Sequence, residues 1–362
     1  MNMIDVIQSI AAVVLTFGMV IFLHEAGHFI LCLWFGVRVE RFAFGFGPEL
    51  IGMTKGSTRF SVCAFPLGGF VKPAGEELDS YSGREDEYFA QVWYRRLAIV
   101  AAGPAMNYVL AFTLFTGVIA VKGLPEPSNE PVIGNLMLGL PADRAGIKLN
   151  DRIIAVDGQP VATWEQLASS IHARPEQAVE LSVERDGSLS QVTLTPKKDE
   201  ESGRGVIGIM RMPVYQPVGI FTAAAEGAKQ CYALSASTVK SIVAMLGRRQ
   251  KADLAGPVGI VQMVSRAAHS GWEDLVLLIG FISVAIGFFN ILPVPLLDGG
   301  HAAMYLWEGL SGRKLTKEAM ATANGLGIAL LVSLLLFATY SDFHRIRSER
   351  ARAKSALSQP GN

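Results

Sequence analysis

Charged and uncharged positions alternate along this chain in long blocks. No Asp, Glu, Lys or Arg occurs from residue 6 to 23, 97 to 121, 275 to 297 or 319 to 341. An α-helix needs about 20 apolar residues to cross the hydrocarbon core, so these blocks predict four membrane-spanning helices. The first block resumes at residue 26 and runs to residue 37 after an interruption, His24-Glu25, with His28 close behind. Met1-Asn2-Met3-Ile4-Asp5 lacks the basic start of a cleaved signal peptide, so the first block is expected to stay as a span. Arg38, Arg41, Arg95, Arg96, Arg313, Lys314 and Lys317 crowd two connections, which are expected on the cytoplasmic side. The long connection between spans two and three then faces outward, as do both termini.

The connections have patterns of their own. Residues 38–96 contain apolar, glycine-rich stretches such as Gly45-Phe46-Gly47 and the run from Arg59 to Val71. They predict a small sheet, too hydrophobic for a water-exposed loop, re-entering the membrane with a free edge, the alternative being a cytoplasmic hairpin lying on the surface. Residues 130–212 predict a separate soluble α+β domain, with strands over 131–137 and 152–156 and a hairpin about Asp186-Gly187. Thr163-Trp164-Glu165-Gln166 is a capping box that opens a helix to about His172. Residues 213–274 read as a helical connector at the interface, and 346–362 as a disordered tail. The expected parts are thus 1–129, 130–212, 213–274, 275–345 and 346–362. Together they describe a polytopic α-helical membrane protein with a re-entrant β-hairpin and one inserted soluble domain.

Composition agrees. Half of the 362 residues are hydrophobic and only 18% are charged, below the ~25% of soluble domains. Thirty-two basic residues balance thirty-two acidic ones, which argues against a nucleic-acid partner. Cys32, Cys63 and Cys231 have no spacing suited to a thiolate metal site.

The candidate chemistry lies inside the spans. His24-Glu25-Ala26-Gly27-His28 is an HExxH motif, and residues i and i+4 share one helical face, so the two imidazoles can hold one metal. Glu25 can act as general base beside them. Ionisable groups in an apolar span are costly, about 2.5–3.5 kcal/mol each on insertion scales, and persist mainly when paired or functional. The bland alternative is a pair of histidines hydrogen-bonded to a neighbouring helix. Two histidines leave a zinc site one protein ligand short. The end of the third span, Asn290-Ile-Leu-Pro293-Val-Pro295-Leu-Leu-Asp298-Gly-Gly-His301, offers Asp298, with His301 as the rival.

These motifs resemble the site-2 protease family, in the bacterial regulator-of-sigma-E protease type. HExxH in the first span and NxxPxPxLDG in the third carry the resemblance, with a PDZ-like signature at residues 145–158. Further matches are Gly45-Phe46-Gly47, Pro66-Leu67-Gly68-Gly69, Ala102-Gly-Pro-Ala-Met-Asn107 and Gly256-Pro-Val-Gly-Ile260. Residues 20 to 345 match in order. The resemblance implies an intramembrane zinc metalloprotease with one Zn2+ per chain, ligated by His24, His28 and Asp298, with Glu25 as base. It implies that Asn290 and Pro293 accommodate substrate, and that the re-entrant segment bearing Gly45, Gly47, Gly68 and Gly69 pairs with it. Expected partners are membrane-spanning proteins such as an anti-sigma factor, a peptide or substrate ectodomain at the PDZ-like domain, and the lipid bilayer. The expected location is the bacterial inner membrane, with the site towards the cytoplasm. One departure is the single PDZ-like domain where well-known members have two. The rival functions are a metal transporter and a non-catalytic peptide-binding anchor. A transporter predicts ionisable groups along several spans, and spans two and four have none. An anchor makes Glu25 unnecessary.

Overall fold

The computed structural model describes residues 3–137, 139–200, 202–247 and 256–357. The chain opens with α1 (Met3–Trp34), β1 (Val39–Lys55), β2 (Thr58–Pro73) and α2 (Trp93–Lys122). Then come β3 (Leu124–Pro127), β4 (Ile133–Leu136), α3 (Pro141–Arg144), β5 (Arg152–Val156), β6 (Gln159–Pro160), α4 (Trp164–His172), β7 (Val179–Arg185) and β8 (Ser188–Leu194). Short strands β9 (Lys197–Lys198), β10 (Gly205–Val206), β11 (Ile209–Arg211) and β12 (Pro213–Gln216) follow. Helices α5 (Ile220–Leu246), α6 (Pro257–Ser270), α7 (Trp272–Ile291), α8 (Asp298–Ser311) and α9 (Lys317–Leu357) complete the order. The chain divides into two compact units, Met1–Ile119 with Ile220–Asn362, and Ala120–Gly219.

Among the described residues of the first unit, four helices are long and apolar enough to cross a membrane: α1, α2, α7 and the Lys317–Asp342 part of α9. They correspond to the four uncharged blocks. α7 stops at Ile291 although the uncharged block runs to residue 297, because Pro293 disfavours the helical conformation for Leu292, which is extended. α9 continues to Leu357 through the stretch expected to be a disordered tail. Ala, Arg, Glu and Lys, all good helix formers, dominate it. Residues 358–362 lie outside the described residues. α5 lies against α2 and α7: Cys231 packs with Ala111, Phe115 and Val284, and Tyr108 Oη stands 2.9 Å from Ser235 Oγ.

The two long strands between α1 and α2 make more than a hairpin. Positions 41–44 of β1 are flanked on both sides by β2. Phe42 pairs with both Val71 and Phe60, and Phe44 with both Gly69 and Val62. The remainder of β1 pairs with the start of β2, Lys55 opposite Thr58. Gly45 and Gly47, both at φ 87°, lie where β1 changes partners, a backbone conformation that glycine adopts readily. The stretch around residues 69–72 is therefore an edge, and it lies beside α1.

The second unit buries one hydrophobic cluster that includes Ile133, Ile153, Leu167, Leu181 and Val183. Its four-stranded sheet runs in the order β6-β5-β7-β8. Asp186 and Gly187, at φ 50° and 77°, make the β7–β8 turn. Thr163 and Gln166 form the reciprocal capping box that the sequence spells out.

Candidate metal and catalytic centre

The helical phase of α1 puts His24 and His28 on one face, with their Nε2 atoms 3.3 Å apart. The turn from α7 to α8 brings Asp298 to them. Leu296, at φ 77°, takes a left-handed conformation that is unusual for a branched residue, and it directs the chain back so that α8 opens at Asp298. Asp298 Oδ2 lies 3.0 Å from His24 Nε2, and Oδ1 lies 3.6 Å from His28 Nε2. These three are the one group of metal-capable side chains found among the described residues. Around tetrahedral zinc with bonds of about 2.0–2.2 Å, ligand atoms stand about 3.3–3.6 Å apart. The observed spacings, 3.0 to 3.6 Å, bracket that requirement.

The outer contacts of the imidazoles fit the same use. His28 Nδ1 is 2.8 Å from the carbonyl oxygen of Ile99, so Nδ1–H donates there and Nε2 carries the lone pair. His24 Nδ1 is 3.2 Å from the Asn107 carboxamide, whose Oδ1 has no other hydrogen-bond partner. With the carboxamide turned so that its oxygen accepts from Nδ1–H, His24 also presents an unprotonated Nε2. Two lone pairs and a carboxylate then converge. Asp298 Oδ2 is buried without a hydrogen-bond donor. Such a convergence is repulsive unless a cation lies within it, and a zinc ion fits both the donor set and its spacing.

Close helix packing makes this geometry possible. A Cβ on Gly103 of α2 would come within 2.3 Å of His28 Nε2 and 2.8 Å of His24 Cε1. A Cβ on Gly27, inside the HExxH motif, would meet the Ala102 carbonyl oxygen at 2.3 Å. Small residues thus allow α1 and α2 to approach at the level of the histidines. Gly103 and Asn107 belong to a motif visible in the sequence, yet sequence spacing alone gives them no role. Their function depends on where α2 crosses α1.

A cavity of about 300 Å³ opens beside the cluster, lined by His24, Glu25, His28 and Asp298 together with Phe70, Val71, Glu76 and His301. Glu25 Oε2 accepts a hydrogen bond from the Val71 backbone N–H at 3.1 Å. Asn290 Nδ2 is 3.4 Å from His24 Nε2, so this residue also reaches the cluster. Gly69 lies next to Glu25, with its Cβ direction 3.5 Å from Glu25 Cγ. Gly45, Gly47, Gly68 and Pro293 do not line this cavity. His301, the rival ligand, lines the cavity but turns Nδ1 to the Leu297 carbonyl oxygen of its own helix at 3.2 Å.

Residues 12–334 match the model of Peptidase family M50. A protein of Clostridium acetobutylicum named as a zinc metalloprotease is 34% identical over 339 residues, which are 92% of this chain and 97% of that protein. The regulator of sigma-W protease RasP of Bacillus subtilis is 26% identical over 423 residues, covering 94% of this chain and 99% of RasP. Among solved structures, a PDZ domain of the SdrC-like protein of Listeria innocua aligns with 23% of this chain and 93% of its own length, at 20% identity and a TM-score of 0.21. Neither a transporter nor a non-catalytic anchor finds support among these relatives. The chain belongs to peptidase family M50, the site-2 protease family, and is a metalloendopeptidase.

Proposed function

We propose that this protein cleaves peptide bonds within or near the membrane-spanning segments of regulatory membrane proteins. His24, His28 and Asp298 hold one zinc ion per chain, and Glu25 is the general base. The convergence of two Nε2 atoms and a carboxylate with one buried, donorless oxygen at zinc-ligand spacing carries this reading. Zinc held there supplies Lewis acidity, polarising the scissile carbonyl and making water a competent nucleophile near neutral pH. Glu25 takes the proton of the attacking water and passes it to the leaving amine, a role typically worth ~10²–10⁴-fold. Asn290 donates from Nδ2 to a substrate carbonyl. A helical substrate has its carbonyls tied up in i to i−4 bonds, so the scissile segment must unwind. The edge at residues 69–72 offers it replacement backbone partners. Gly45, Gly47 and Gly68 shape the sheet that carries this edge, and Pro293 ends α7 so that the chain can turn towards Asp298.

The regulator of sigma-W protease RasP points to a class of substrate: a membrane-anchored regulator of a sigma factor, an anti-sigma factor being the simplest case. The enzyme would lie in the bacterial inner membrane with its site towards the cytoplasm. Residues 130–212 would form a PDZ-like domain on the outer side that meets a peptide or substrate ectodomain. In support, that unit has a groove of about 790 Å³ in which Leu140, Leu167, Ile171, Ile207 and Ile209 form an apolar wall beside Lys197, Lys198 and Arg211.

Glu25→Gln keeps a polar group of similar size and leaves every proposed ligand in place. Purified Glu25→Gln protein should retain zinc by metal analysis and cleave a membrane-spanning reporter at least ~10²-fold more slowly. Undiminished cleavage would overturn the assignment of the base.

A further inference from the structure

The substrate-facing edge of the sheet and the proposed base share one hydrogen bond. In an antiparallel pair, successive residues turn their N–H and C=O alternately towards the partner strand and away from it. Val71 is opposite Phe42, yet its N–H goes to Glu25 Oε2 at 3.1 Å rather than into the ladder. Gly69, two residues earlier and opposite Phe44, shares that outward phase. Pro73, two residues later, has no N–H. Along this edge the outward donors nearest the cavity are therefore the amides of Gly69 and Val71, and only Val71 is engaged by the cavity's carboxylate.

We infer that the Val71 amide is a positioning group for Glu25 and not a docking donor for substrate. One carboxylate oxygen is fixed on the rigid sheet edge, which orients the other oxygen towards the cavity and the water it must deprotonate. No other hydrogen bond to the Glu25 carboxylate is found among the described residues, so this one is the polar contact that sets its orientation. An incoming substrate strand then pairs through the Gly69 N–H and the outward carbonyls of Gly69 and Val71, leaving the Val71 N–H on Glu25. This division fixes the register: the strand anchors towards Gly69, and its reactive carbonyl lies beside Val71 and Glu25. The inference rests on the protease reading above and adds to it a group that no side-chain motif reveals.

The test removes single N–H groups. Replacing Val71 by its α-hydroxy acid during suppressed translation turns the amide into an ester and leaves the side chain unchanged. Val71→Pro does the same more crudely, at an edge position where proline is tolerated. The Gly69 ester is the matched control. With a membrane-spanning fluorogenic peptide in detergent, the Val71 ester should lower kcat at least ten-fold with KM within two-fold of wild type and zinc content unchanged. The Gly69 ester should raise KM with kcat preserved. On metal-free protein, the Kd for the same peptide should be unchanged by the Val71 ester and weakened by the Gly69 ester, a readout independent of turnover. A raised KM and weakened peptide binding for the Val71 ester would make Val71 a docking donor and overturn the inference, as would unchanged kinetics. If Val71→Pro fails to fold, the ester decides. Loss of cleavage in Glu25→Gln alongside normal Val71 variants would sink this inference alone. Undiminished cleavage by Glu25→Gln would sink the underlying reading instead.

Discussion

Each unit of this protein holds a notable aspartate, and the two are satisfied in opposite ways. Asp151, in the second unit, is fully buried and surrounded by donors. Arg185 reaches it twice, Nε to Oδ1 and Nη2 to Oδ2, each at 2.7 Å, and the Lys148 N–H adds a bond of 2.8 Å. Asp298, in the first unit, faces two histidine nitrogens and has one buried oxygen without a donor. A carboxylate tied up by fixed donors is a structural clamp, with no capacity left for a ligand. A carboxylate that meets only lone pairs is incomplete until a cation arrives. The same residue type is thus architecture in one unit and chemistry in the other, and the neighbours decide which.

The largest expected effect comes from crowding the incomplete site without touching a ligand. Gly103→Ala would place a methyl 2.3 Å from His28 Nε2, against an imidazole held by the Ile99 carbonyl. The imidazole must shift off its ligand position. Zinc should be lost on purification and reporter cleavage should fall more than ~10²-fold, since the metal supplies the Lewis acidity. A zinc-replete, active Gly103→Ala protein would show that this close approach is incidental. Next in size is Asn107→Leu, which removes the partner of His24 Nδ1 and leaves all three ligands. Outer partners of metal-bound histidines are typically worth ~10–100-fold in affinity, so a competitive zinc titration should weaken by that factor. Unchanged affinity would mean that Asn107 serves packing alone.

These two residues mark where sequence reading stops. HExxH is legible because the i, i+4 phase of a helix converts directly into one shared face. Asp298 is legible as a candidate because two prolines and an acidic group close an apolar block. Gly103 and Asn107 stand in a recognisable motif, but their meaning arises only when α2 crosses α1. The uncharged block alone runs past the end of α7, whereas the two prolines read within it mark the interruption, and Pro293 stops the helix at Ile291. The alternation in residues 39–73 announces strands, whereas the double pairing of Phe42 and Phe44 is a long-range choice that no local pattern encodes. In the second unit local signals carry further: the Asp186-Gly187 turn and the Thr163–Gln166 box each act within four residues. Hydrophobicity and local chemistry therefore point to the elements of the second unit and to the proposed metal ligands, and packing supplies the support around them.

Asp151→Ala strips Arg185 of its partner and should destabilise the second unit by about 2–3 kcal/mol, the range for charge-assisted bonds in a pair whose arginine is partly exposed. Burial tends to raise the Asp151 pKa, but the Arg185 pair outweighs it and holds the carboxyl below its ordinary value of 3.8. The stabilisation is therefore present above that value and disappears as pH falls through the lower, folded one. Hydrogen exchange on the whole protein should show faster opening of residues in β5 and β7 with zinc content unchanged. Loss of zinc in Asp151→Ala would mean that the two aspartates are not independent.

The smallest effect is expected at Thr163, and it tests whether the second unit follows local rules alone. Thr163 Oγ1 accepts from the Gln166 N–H, and Gln166 Oε1 returns the bond to the Thr163 N–H, each at 3.3 Å. Thr163→Ala breaks the first bond and leaves a first-turn donor to water. Such caps are typically worth ~1 kcal/mol, about a five-fold change in an opening equilibrium. α4 should nevertheless persist, because Trp164, Leu167 and Ile171 remain buried and tertiary packing, more than capping, holds a helix of nine residues. Exchange of the Gln166 amide should accelerate about five-fold, while amides of β7, central in the sheet, and the rate of reporter cleavage stay as in wild type. Acceleration spreading to β7 would mean that the cap stabilises the whole unit. A change in cleavage with intact zinc would tie this exposed helix start to access at the active site.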